Sequence, residues 1–123
     1  MVKQRTNYYK FEDFELSSGN NIYLELSYQV FGLNINEGPV VVVNHSLTGN
    51  SNVSGNSGWW NKLVGPRMMI DTGKFCVICI NIPGNVQEKE SFNYENDWIL
   101  NDVARLFIDL LKNLKIKKIH SII

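Results

Sequence analysis

Charge of one sign is not in excess in this sequence: 12 Lys and Arg side chains stand against 12 Asp and Glu, a formal net charge of zero. Binding to nucleic acid or to an anionic membrane surface calls for a basic excess. The lysines from Lys112 to Lys118 form the one short basic cluster, and it reads as a solvated helix end and the loop after it. Long apolar runs are missing as well, since nothing approaches the roughly 18 residues of a membrane span. The N-terminus MVKQRTNYYKFEDF has no apolar segment of the signal-peptide kind. A cytoplasmic protein without nucleic-acid or membrane partners is the expectation, and the sequons at Asn44 and Asn52 would then stay unused.

Cysteine is scarce too. The two present, Cys76 and Cys79, spell CxxC, the spacing of a redox or metal pair. They lie in FCVICIN, however, a continuous apolar run of strand character, where a period of two sends positions 76 and 79 to opposite faces. Side chains on opposite faces cannot readily close a disulfide. Two small apolar residues of a buried strand are therefore expected, and no metal site is implied.

What the chain does contain is 44% hydrophobic residues over a length of 123, the composition of one small globular domain or of part of a larger one. Ile22, Leu24, Leu26, Tyr28 and Val30 alternate with Tyr23, Glu25, Ser27 and Gln29, which predicts a strand with one wetted face. Phe14 and Leu16 suggest its hairpin partner across Ser17-Ser18-Gly19-Asn20-Asn21, leaving residues 1–12 as a loosely ordered tail. The runs VVVV at 40–43 and FCVICI at 75–80 do not alternate, as befits parallel strands buried on both faces. Between Asp97 and Leu114, apolar Leu100, Val103, Ala104, Phe107, Leu110, Leu111 and Leu114 recur at helical spacing, with Asn96 or Asp97 as N-cap. Ile119 to Ile123 begin another apolar run. The order is β-hairpin, strand, long loop with room for a short helix, strand, helix, strand: an α/β fold with a growing parallel sheet.

Ligands of open α/β sheets bind beyond the carboxyl ends of the parallel strands. Three such ends can be placed here, the loop NHSLTG after Val43, the loop Asn81-Ile82-Pro83-Gly84-Asn85 after Ile80, and whatever follows Ile123. His45 and Ser46 look like a catalytic pair, but adjacent side chains leaving a strand diverge, so the polar turn itself is the better candidate, aiming backbone N–H groups into a cleft. Trp59 and Trp60 could line a pocket or anchor the loop on the core. Asp71, Glu88, Glu90 and Glu95 show no paired spacing for acid and base work, and His120 reads as structural.

Several stretches in order carry a resemblance: FELSSGNNI with LSYQVFGLN, VVVNHSLTGNS, GWWNKLVGPRMMIDTGKFCVICIN, and LNDVARLFIDLLKNLKIKKIHSII. Together they resemble the homoserine O-acetyltransferase family of the α/β-hydrolase fold from Phe14 to Ile123, with HSLTG similar to the family's HALTG and with its GWW, GP and Asp-Thr following in order. The resemblance implies that residues 1–123 form a single partial domain, the N-terminal part of an α/β-hydrolase fold: an antiparallel hairpin, then parallel strands with crossover helices, in an incomplete sheet. It implies transfer of an acetyl group from acetyl-CoA to homoserine through a serine acyl-enzyme, a step of methionine biosynthesis. Acetyl-CoA is then a substrate, no cofactor or metal takes part, and a homodimer is typical.

Carried over residue by residue, the resemblance makes the Leu47 backbone amide an oxyanion-hole donor. His45, Ser46, Thr48, Trp59, Trp60, Asn81 and Gly84 are candidate pocket lining. The nucleophile elbow would follow directly on IHSII, so the whole triad is expected beyond Ile123 and no catalytic residue lies within the chain, which is expected to be inactive alone. Two alternatives stand beside this reading: an orphan fragment of a truncated or split gene, partnered at best by a separate C-terminal piece, or part of an esterase of other specificity. The sequence departs from the family pattern at Arg67, where glycine is usual, and in the loop 82–92.

Overall fold

The computed structural model describes residues 5–85 and 97–123. Glu88, Glu90, Glu95, the proposed cap Asn96 and most of the divergent 82–92 loop lie outside the described residues. Five strands form the main sheet: β1 (Asn7–Glu15), β2 (Asn21–Gly32), β3 (Val40–Val43), β6 (Cys76–Ile80) and β7 (Ser121–Ile122), in the order β1-β2-β6-β3-β7. Two-residue strands β4 (Val64–Gly65) and β5 (Ile70–Asp71) pair with each other in the long loop, and the helix α1 spans Leu100–Asn113. β2 runs antiparallel to β1 and to β6, while β3 is parallel to both β6 and β7.

From β3 the chain moves to one neighbour, β6, and from β6 it crosses back over β3 to the other, β7. Parallel crossovers are right-handed, so reversing direction places the two connections on opposite faces of the sheet. The two apolar clusters follow that division. Val40, Val42, Cys76, Ile78 and Ile80 pack with Leu106, Leu110 and Leu111 of α1. Val41, Val43, Val77 and Cys79 pack on the other face with Val53, Val64 and Ile70 of the long loop. Cys76 and Cys79 are free, buried and on opposite faces, as the period of two requires. Burial, with a smaller push from the Glu37 carboxylate, raises the Cys76 thiol, and burial drives that of Cys79 up to about 12.

The N-terminal segment corrects the expectation of a loose tail over 1–12. From Asn7 onward it is the strand β1, in register with β2 from Asn7 opposite Tyr28 to Phe11 opposite Leu24. A register shift between Phe11 and Phe14 turns both aromatic side chains into the core although they are three residues apart, a spacing that hides the strand from a period-two reading. Ser27 and Gln29 of β2 also depart from expectation. They are buried, not wetted, because the loops after β3 and β6 supply hydrogen-bond partners on their face of the sheet, Ser51 to Gln29 and Asn81 to Ser27.

The helix begins three residues later than Asp97, with Ile99 as N-cap. Its buried face centres on Asp102, Leu106 and Leu110, while Leu100 is 84% exposed and Ala104 is also exposed. Asp102 sets that rotation. Its Oδ1 accepts from the Ser17 amide at 2.9 Å, the Ser17 hydroxyl at 2.6 Å and Arg105 Nη2 at 2.6 Å, and its Oδ2 accepts from the Ile99 amide at 3.2 Å. Burial alone would raise this carboxyl, but the Ser17 hydroxyl, the Arg105 guanidinium and the two amides outweigh it and hold the group well below the usual carboxylate range. Arg105 also donates to the Glu15 carbonyl at 2.8 Å and lies 5.1 Å from the Phe14 ring centre, so the buried Asp102 and its partly exposed partner Arg105 together clamp the hairpin to the helix.

Candidate active site

The parallel register that sets Val43 beside Cys79 also sets the loops leaving β3 and β6 side by side. The Asn44 amide donates to the Ile123 carbonyl at 2.7 Å, which brings the exit of β7 to the same place. Three strand ends thus meet at one edge of the sheet. This is the edge at which the carboxyl-end rule places a ligand.

Under the loops lies a buried polar floor. Asn81 is fully buried, and its side chain uses every position it has: Oδ1 accepts from the Ser51 amide at 2.8 Å and from Asn85 Nδ2 at 2.7 Å. Its Nδ2 donates to Ser27 Oγ at 2.8 Å and to Ser51 Oγ at 2.9 Å. The Ser51 hydroxyl in turn donates to Gln29 Oε1 at 2.6 Å. His45 is buried beside this group, with Nδ1 2.7 Å from the Ser46 carbonyl and Nε2 accepting the Ile82 amide at 2.9 Å. The turn after it closes through the Gly49 amide, which donates to the Ser46 carbonyl at 2.9 Å.

The candidate residues therefore divide. Ser46, Leu47 and Thr48 form the exposed tip, and the Leu47 amide has no acceptor among the described residues. His45 and Asn81 lie below them in the floor. Gly84, at φ 92°, sits with Pro83 at the centre of a turn closed by the Asn85 amide and the Ile82 carbonyl, the Pro-Gly pattern of a type II turn. Trp59 and Trp60 stack with ring centres 5.2 Å apart, Trp59 Nε1 donates to the Asn50 carbonyl at 2.8 Å, and Trp60 packs on the loop-side core. The pair fastens this part of the long loop to the stretch that follows His45 and to the core beneath it.

His120 stands elsewhere, its ring 5.2 Å from that of Phe75 and its amide bonded to the Val40 carbonyl at the amino end of β3. Sequence reasoning missed Ser27, Gln29 and Ser51 as members of the site's floor. The available signal was the polar face of β2, whose cover cannot be read from periodicity. Arg67 adopts a left-handed φ of 59°, a conformation that favours the glycine usual in the family, and its amide shares Asp71 Oδ1 with that of Gly73, both at 2.9 Å. These amides hold the Asp71 carboxyl below its ordinary value.

Strand order, opposed crossovers and a polar turn at the carboxyl end of β3 define part of an α/β-hydrolase domain. The homoserine O-acetyltransferase of Staphylococcus aureus superimposes with a TM-score of 0.83 at 23% identity, over 98% of this chain and 38% of that one. Esterase E22 does so with a TM-score of 0.82 at 19% identity, over 98% and 40%. No protein-family model matches the chain. In sequence, the chain is similar to homoserine O-acetyltransferases: it is 30% identical to that of Methanosphaera stadtmanae over 139 aligned positions, which take in 96% of this chain. The chain spans 28% of the length of that relative.

Proposed function

We propose that these residues build the oxyanion side of an acyl-transfer site in a homoserine O-acetyltransferase-like enzyme, with Leu47 donating its backbone amide. The observation that carries this reading is the Leu47 amide at the exposed tip of a turn braced from below, in a loop whose first residue, Asn44, is bonded to Ile123 at the exit of β7. A nucleophile following β7 would emerge next to that amide. In the whole enzyme an acetyl group would pass from acetyl-CoA to a serine and then to homoserine, in the cytoplasm and towards methionine. A single such donor contributes roughly 3 to 4 kcal/mol to the transition state when nucleophile and base are in place.

The 123 residues do not perform this transfer by themselves. Neither histidine can act as base at this edge, because His45 has both ring nitrogens engaged and His120 lies at the opposite end of β3. The test is CoA release from acetyl-CoA and homoserine. The chain alone is expected to give none; the S. aureus enzyme carrying residues 40–52 in place of its matching stretch is expected to give turnover. Turnover by the chain alone, or a folded but dead graft, contradicts the proposal.

A further inference from the structure

We infer that His45 is a positioning residue that aims the Leu47 amide, locked in one tautomer by the loop after β6. The inference rests on the oxyanion reading of Leu47, but its geometry can be measured without any reaction. The Ser46 carbonyl and the Leu47 N–H belong to one peptide unit, and with no cis bond in the described chain they point in opposite directions. The carbonyl is held by two donors, His45 Nδ1 at 2.7 Å and the Gly49 amide at 2.9 Å. Fixing the carbonyl on the inner side fixes the Leu47 N–H on the outer side, at a tip where Leu47 is 94% exposed.

The direction of the His45 bond is settled by its other nitrogen. A backbone N–H can only donate, so Nε2, 2.9 Å from the Ile82 nitrogen, is an acceptor and carries no proton. The neutral ring then has its proton on Nδ1, where it donates to the Ser46 carbonyl. Hydrogen bonds received by a carbonyl also polarise its peptide unit, strengthening the N–H at the far end by roughly 10–30% per bond. Gly49 lets the turn close on the ring: a Cβ there would stand 3.0 Å from His45 Cβ and 3.2 Å from the Ser46 carbonyl oxygen. The chain of contacts runs Ile82 to His45 to Ser46 to Leu47, so the β6 loop bears on the amide without touching it.

The test compares His45→Asn and His45→Ala with the parent. An Asn amide can take the place of Nδ1 and donate to the Ser46 carbonyl, but it does not reach Ile82; Ala does neither. In the 15N-labelled chain, the parent imidazole is expected as the Nδ1-protonated tautomer. The Leu47 amide signal should stay near its parent position in His45→Asn and move in His45→Ala, while the Ile82 signal moves in both. An Nε2-protonated ring, or a Leu47 signal indifferent to all three residues, overturns the inference. In the grafted S. aureus enzyme, His45→Ala is expected to lower kcat about tenfold or more with little change in KM, and His45→Asn to recover most of it. Equal kcat in all three also overturns it, and this second measurement stands if a variant chain folds poorly. If Leu47→Pro leaves the graft's kcat unchanged while the NMR result holds, the oxyanion reading fails and the aiming of the amide survives.

Discussion

The Ile82 amide donates to His45 Nε2 at 2.9 Å, joining the loop after β6 to the loop after β3 across the top of the sheet. The bond follows from the parallel register of the two strands, and it occupies the Nε2 lone pair of the histidine. Beneath it, Asn81 joins β2, β6 and the descending loop through one side-chain amide. Replacing that amide with an isosteric apolar group leaves several buried partners without bonds, each costing about 1–3 kcal/mol. Asn81→Leu should therefore destabilise the chain by roughly 3 kcal/mol. Urea denaturation reads this directly, and a loss below about 1 kcal/mol would show that the floor is dispensable.

Arg67 holds a left-handed backbone conformation that costs an L-residue roughly 1–2 kcal/mol, partly offset by the larger entropy a glycine loses on folding. Arg67→Gly is expected to stabilise the chain by about 0.5–1 kcal/mol and to leave the Asp71 turn intact. A lower urea midpoint for Arg67→Gly would mean that the Arg67 side chain contributes more than its backbone strain removes.

Acid should loosen the hairpin from the helix. The Asp102 and Asp71 carboxyls lie below their ordinary value in the fold, so the unfolded chain binds protons more readily and stability rises with pH across that interval. Their contribution is fully present above the unfolded value of about 4 and is lost as pH falls towards the folded values. Asp102→Asn should flatten the acid limb of a stability-against-pH curve. An unchanged limb would remove Asp102 from the account.

The thiols should be silent. Cys76 and Cys79 are buried on opposite faces, and both titrate above the ordinary range, Cys79 at about 12. Neither is expected to react with a thiol reagent at pH 8 until denaturant is added, and mild oxidation should form no bridge between them. Rapid labelling of either in the native chain would contradict the packing described.

Much of this was legible in the sequence. The valine run and FCVICI declare buried parallel strands through composition alone, and the face assignment of the two cysteines needs only the strand period. The rest depended on contacts between distant segments. The Phe11–Phe14 irregularity breaks the alternation by which β1 would have been found. Ser27 and Gln29 look wetted until the loops after β3 and β6 supply their partners. The helix start shifted because a buried Asp102 answers Ser17, 85 residues away. At the candidate site, the motif pointed to Leu47; the part played by His45 depends on which atoms face its two ring nitrogens, and no spacing encodes that.

The central claim is that the Leu47 amide stabilises an oxyanion, and the most direct measurement is kcat for the S. aureus enzyme grafted with residues 40–52, with and without Leu47→Pro. Proline removes the N–H and leaves the nucleophile and base of the host enzyme in place. The account predicts a fall in kcat of roughly 10²–10³-fold with the fold intact by circular dichroism. A grafted enzyme that folds and turns over equally well with proline at 47 would contradict it.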